Sequence, residues 1–181
     1  MQSIKEKYTK EAVPKMMKEF GLKSPMAVPR ILKVVVNVGT GKIRDKKDAV
    51  ETVEKHLALI TGQKPSPRPA RIAIASFKTR EGMIIGYKVT LRGQKMYDFL
   101  DRLINFAIPR TRDFRGIPLK SLDHGGNLTI GIKEHIIFPE MIGEDVRNIF
   151  GLEVTVVTNS KKRGEAEKLL RLLGFPLQKN G

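Results

Sequence analysis

The chain has 181 residues, 34 Lys and Arg against 19 Asp and Glu, a formal net charge of +15 and no cysteine. That length suffices to bury a core without metal or disulfide help, and the missing cysteine excludes thiolate metal sites, disulfides and cysteine nucleophiles. Residues 61–120 hold 13 basic and 4 acidic side chains while residues 121–181 hold 8 of each, so the positive field is local and suits a polyanion whose counterions Lys and Arg displace.

In chain order, Met1-Gln2-Ser3-Ile4-Lys5-Glu6 lacks the apolar run of a signal peptide, and no stretch approaches the ~20 apolar residues of a membrane span. The sequence therefore reads as soluble and intracellular. Its basic excess lies in Gly- and Pro-punctuated segments, not along one amphipathic helix, which disfavours a membrane-surface role. Ser3 and Glu6 make a capping-box pattern ahead of Ile4, Tyr8, Val13, Met16, Met17 and Phe20, predicting a helix that Pro14 bends and Gly21 stops. Residues 1–22 read as a helical appendage and 23–181 as an α+β core, together one domain. The β-branched run Ile31 to Val38 places Val34, Val36 and Val38 on one face and Lys33, Val35 and Asn37 on the other. Asp45 is placed to cap a helix carrying Val50, Val53, Leu57 and Ile60, closed by Gly62.

Residues 64–75 contain three prolines and read as an edge or irregular strand, and 76–86 as an open loop. Tyr87, Val89 and Leu91 alternate with Lys88, Thr90 and Arg92. Gln94 to Ala107 is predicted helical, burying Phe99, Leu100, Leu103 and Ile104 and stopped by Pro109. A long basic loop spans 109–127, followed by strands at 128–133 and 152–158 and a helix at 163–173 that ends at Gly174. This order predicts an α+β fold, an open antiparallel sheet with helices packed on one face and the other free for a partner, and the residues exposed there make an RNA-binding face the expectation. On that face Lys33, Asn37, Lys88, Thr90 and Arg92 offer phosphate contacts and hydrogen bonds, and an ordinary solvated face would alternate in the same way.

Gly39-Thr40-Gly41-Lys42 follows a strand, but Val36 and Ile43 break the phosphate-loop pattern and Arg44 the dinucleotide one, which favours a plain turn. His56, His124 and His135 are scattered, and His56 reads as a surface or boundary residue. Asp98 and Asp101 share a helical face and read as solvated. No catalytic constellation, metal set or cofactor motif emerges. Phe77 beside Lys78 and Arg80 could stack on an unpaired base, or anchor its own loop. Arg110, Arg112 and Arg115 suit a phosphate backbone, with local pairing to Asp113 as the competing account.

Several motifs then occur in a fixed order: Leu59-Ile60-Thr61-Gly62-Gln63-Lys64-Pro65, Phe77-Lys78-x-Arg80-x-Gly82, Lys88-Val89-Thr90-Leu91-Arg92-Gly93 and Pro109-Arg110-x-Arg112-Asp113-Phe114-Arg115-Gly116. Ile136-Ile137-Phe138-Pro139-Glu140 and Leu173-Gly174-Phe175-Pro176 follow. Together they resemble the bacterial-type fifth protein of the large ribosomal subunit, the 5S rRNA-binding family, from about residue 5 to residue 177. The resemblance implies a non-catalytic role in the cytoplasmic ribosome, holding 5S rRNA in the central protuberance, with 23S rRNA and neighbouring 5S-associated ribosomal proteins as partners. It implies that Asn37, Gln63 and Thr90 hydrogen-bond to 5S rRNA, with Phe77 packing beside them and Lys33, Lys64, Lys88 and Arg92 on the same surface. The 76–86 loop, with Lys78, Arg80, Gly82 and Met83, would approach the P-site tRNA elbow. The 109–127 region would face a small-subunit head protein in an inter-subunit bridge. Residues 66–73 depart from the family pattern, and 124–128 lack the arginine and tyrosine usual there.

The competing functions are a general nucleic-acid chaperone, which would bind any structured RNA alike, and an enzyme on a phosphorylated ligand, for which Gly39-Thr40-Gly41-Lys42 is the only motive.

Overall fold

The structure, a computed structural model, describes residues 2–178 apart from 42, 44, 45, 113, 145 and 146. Ser3 Oγ accepts the Glu6 N–H at 3.3 Å and opens α1 (Ile4–Lys7). The helix then widens into a π turn at Tyr8–Ala12 before α2 (Val13–Phe20), whose first turn contains Pro14. A proline ring offers no N–H and crowds the carbonyl four residues back. A wider turn just upstream relieves that crowding, so the expected bend is realised as a π turn. Gly21 closes α2 at φ +62°, and its N–H donates to the Met17 carbonyl.

Five strands form one sheet: β1 (Ile31–Gly39), β2 (Ser66–Pro69), β3 (Ile84–Leu91), β4 (Leu128–Ile132) and β5 (Leu152–Thr158). Their spatial order is β2-β3-β1-β5-β4, and every pairing is antiparallel. The central strand β1 sets the core face. Val34 stands between Leu91 and Val156, and Val36 between Val89 and Val154, all of them buried. Onto this valine floor α3 (Lys47–Thr61) brings Val53, Leu57 and Ile60, and α4 (Gly93–Arg102) brings Met96, Phe99 and Leu100. The last helix, α5 (Arg163–Leu173), adds Ala166, Leu169, Leu170 and Leu173, while Ile4, Ala12 and Met16 from the N-terminal helix complete the same cluster. Each of the larger side chains in this cluster contributes about 1.5–3 kcal/mol on burial. The helices thus lie on one face of the sheet, as the strand alternation predicts.

Other expectations shift. The 76–86 segment is not an open loop. Ile74 and Thr79 exchange two backbone hydrogen bonds of 3.2 Å around a 3-10 turn at Ala75–Phe77, and β3 begins at Ile84. Apolar Ile84 and Ile85 open the strand because their backbone groups gain partners there, and the Met83 carbonyl just ahead of it accepts the Ala70 N–H. Beyond α4 the chain continues through a π turn, Leu103–Ala107, into a 3-10 turn, Ile108–Arg110, that includes Pro109, and Ile104 is only half-buried. The Asp45 cap lies outside the described residues, and Lys46 precedes α3 without a side-chain cap. Pro67 and Pro69 deprive β2 of two donors, which suits its place at the sheet edge.

The largest correction concerns the histidines. His56 is 2% exposed and its Nδ1 lies 3.0 Å from Nε2 of fully buried His135. They are 79 positions apart in sequence and meet because α3 packs against the turns at His135–Ile137 and Pro139–Met141.

Candidate nucleic-acid interface

The sheet face opposite the core is laid out in cross-strand rows. In one, Ser66, Lys88, Asn37 and Glu153 stand side by side from β2 to β5. In the next, Thr90, Val35, Thr155 and Thr129 run from β3 to β4, with the last two hydroxyls 3.3 Å apart. Lys33 stands beside Val157 one row further on. Cross-strand neighbours have Cβ atoms about 4.5–5.5 Å apart, so Lys88, Asn37 and Thr90 form one continuous polar surface.

Gln63 reaches this surface from α3. Gly62 ends the helix at φ +65°, Thr61 Oγ1 donates to the Leu57 and Gln63 carbonyls, and Lys95 Nζ donates to the Gly62 carbonyl at 3.1 Å. The turn so fixed sends Gln63 Nε2 to the Thr90 carbonyl at 3.3 Å, with Lys64 exposed beside it. Arg92 is exposed where β3 hands over to α4. The Arg68–Gly86–Gly39 row carries a single side chain, because a Cβ on Gly86 would stand 2.6 Å from the Val38 carbonyl oxygen. Next to it opens a groove of about 880 Å³, lined by Gly39, Gly41, Ile72, Ile74, Phe77 and Ile85. Phe77 is 68% exposed at its rim.

The hairpin arm beyond is held by hydrogen bonds between Ala70 and Met83 and between Gly82 and Ala70, of 2.8 and 3.0 Å. Lys78 adopts φ +48° and Gly82 φ +80°. Lys78 and Arg80 are exposed, and Met83 is half-buried. Arg110 and Arg112 do not join the sheet rows. They line a second groove of about 480 Å³ with Lys133, Glu134, Ile136 and Ile137. Arg115 is exposed nearby in sequence, and the competing Asp113 pairing lies outside the described residues.

Lys15, Lys55, Arg102, Lys162, Lys168 and Arg171 are each engaged in an ion pair. The cations on and around the sheet face are none of these, so their charge stays available to a partner. Gly39-Thr40-Gly41 is a turn and not a cradle. Thr40 is buried, its N–H donates to the Ile85 carbonyl, and the next helix starts only at Lys47. Lys42 lies outside the described residues. Ser66 and Glu153 belong to the Asn37 row although sequence reasoning does not single them out. Alternation gives their face, whereas only strand register makes them neighbours. Asp101 is not merely solvated, as its helical face suggests: its Oδ1 accepts the Ile4 N–H at 3.0 Å, and burial raises its pKa.

Fold and site together define an α+β protein with one sheet face packed and the other carrying Lys33, Lys88, amides, hydroxyls and one carboxylate. Two family models match the chain: one described as ribosomal protein L5, over residues 24–80, the other as the C-terminus of the ribosomal L5 family, over 84–177. The two matched stretches share one sheet, since β1 and β2 of the first pair with β3 and β5 of the second. Relatives include proteins named large ribosomal subunit protein uL5 from Dictyoglomus turgidum and Dictyoglomus thermophilum, each 50% identical over 179 residues, or 99% of this chain and 100% of theirs. A third, from Halothermothrix orenii, is 49% identical over 97% of this chain and 98% of its own. The chain belongs to the ribosomal protein L5 family, and is a structural ribosomal protein, not an enzyme.

Proposed function

We propose that this protein is a constituent of the large ribosomal subunit in the cytoplasmic ribosome and binds 5S rRNA through the β2-β3-β1 half of its open sheet face. The observation that carries the reading is the Ser66–Lys88–Asn37 row with Thr90 and Gln63 beside it. An ammonium among neutral hydrogen-bonding groups can hold a phosphate while amides and hydroxyls address bases and ribose. Phe77, at the rim of the apolar groove, packs against the same RNA. The hairpin arm with Lys78, Arg80, Gly82 and Met83 reaches toward P-site tRNA. The Arg110/Arg112 groove and the 109–127 segment face a small-subunit head protein, while 23S rRNA and neighbouring 5S-associated proteins complete the surroundings.

Titrating the protein into labelled 5S rRNA across salt, with a transfer RNA and a size-matched hairpin as competitors, tests the core of this reading. A preference for 5S rRNA of about ten-fold or more, worth about 1.4 kcal/mol, supports it. Equal affinity for all three RNAs at every salt concentration overturns it in favour of a general polyanion binder.

A further inference from the structure

Glu153 is the only acidic residue in the five strands. It is exposed, it stands directly opposite Asn37 on one side and Gly131 on the other, and among the described residues no ion pair engages it. The nearest cation in its row is Lys88, two strands away and thus about 10 Å across the sheet, too far for contact. Asn37 is therefore flanked by an ammonium on one side and an unpaired carboxylate on the other. A phosphate settling on the Glu153 side of Asn37 would lie within about one Debye length of that carboxylate and be repelled. A group carrying N–H or O–H would be held there by a charge-assisted hydrogen bond.

We propose that Glu153 is a specificity residue of the RNA site: it accepts a hydrogen bond from a neutral donor of the bound RNA, a ribose 2′-hydroxyl or a base amino group, and turns phosphates toward Lys88. This rests on the RNA reading above and adds a polarity to it. Phosphates run over β3 and β2, and donor groups face β5. Glu153 thereby acts against ligands that offer only phosphate, and Gly131 leaves the room that a base edge or ribose needs on that side.

The test compares the full chain with Glu153→Ala and Glu153→Gln, each checked for wild-type circular dichroism, on 5S rRNA and on an unrelated hairpin. Glu153→Ala should lose about ten-fold or more in affinity for 5S rRNA, as expected for a charged hydrogen bond, and bind the hairpin equally or more tightly. Glu153→Gln, which keeps an acceptor, should retain part of the preference. Interference mapping with 2′-deoxy and inosine substitutions in 5S rRNA separates the two donor sources. At least one substitution should weaken wild-type binding while leaving Glu153→Ala unaffected. Tighter binding of both RNAs by the same factor, or no change on either, overturns the proposal. Wild-type protein without any 5S preference would instead overturn the RNA reading itself.

Discussion

Lowering the pH from 7 to 5 should cost this protein about 2 kcal/mol through one imidazole. His135 is fully buried, stacks on Phe150 at 3.9 Å between ring centroids, and its Nδ1 accepts the Phe150 N–H at 3.4 Å. Its Nε2–H then points at Nδ1 of His56, 3.0 Å away. His135 is neutral in this arrangement, since a second proton on its Nδ1 would meet the Phe150 N–H. Burial first, and the neighbouring His56 second, push the His135 pKa down from 6.5 to about 4. With the folded value below the unfolded one, the unfolded chain binds more protons between the two. Stability is then full above about pH 6.5 and falls as the pH drops toward 4. The whole shift is worth about 3 kcal/mol, of which about 2 kcal/mol is lost by pH 5. That is a large fraction of the about 5–15 kcal/mol by which domains are stable. Urea unfolding followed by circular dichroism at pH 7 and pH 5, for wild type and His135→Gln, measures it. The carboxylates are common to both proteins, so the difference reports the His135 imidazole together with its contact to His56. Identical losses in wild type and variant over this range would refute the reasoning.

The remaining predictions concern binding and stability. Asn37→Ala should weaken 5S rRNA binding more than binding to an unrelated hairpin, whereas Lys88→Ala should weaken both and flatten the salt slope by about one unit or less, read from titrations at several salt concentrations. Asp101→Ala removes the acceptor of the Ile4 N–H and should cost about 1 kcal/mol in urea unfolding, with faster hydrogen exchange at the first turn of α1, while Asp101→Asn keeps most of both. Gly126→Ala places a Cβ 2.8 Å from that of Ala166 and 3.0 Å from that of Ser160, at φ +75°, and should lower stability by about 2 kcal/mol or more in the same assay.

Most of the layering was legible because alternation along Val34, Val36 and Val38, and along Tyr87, Val89 and Leu91, leaves one pleat face apolar, and because Gly21, Gly62 and Gly174 take the left-handed conformation that ends their helices. The strand and helix limits at 152–158 and 163–173 follow from the same signals. What stayed hidden depends on pairing between distant segments. His56 carries no local mark of burial, since its partner lies 79 positions away. Asp101 looks like any solvated helix residue until the first turn of α1 arrives at it from the other end of the chain. Of the candidate interface, Lys33, Asn37, Lys88 and Thr90 could be assigned a face from sequence. The row that joins Asn37 to Glu153 required the register of β1 against β5.

The widened turn at Tyr8–Ala12 sets the phase of the whole N-terminal helix. At about 100° per residue, Ile4 and Met16 would point about 120° apart on an unbroken α-helix. With one residue absorbed in the wide turn the mismatch falls to about 20°, and both side chains reach the same core, as their burial to 1% and 0% exposure records. The helix works as two screws offset by one thread. Shortening the chain by one residue between Lys7 and Val13 would keep Ile4 and Met16 in phase, but on a plain helical turn that restores the crowding at Pro14. Adding one there would turn either Ile4 or Met16 out toward water.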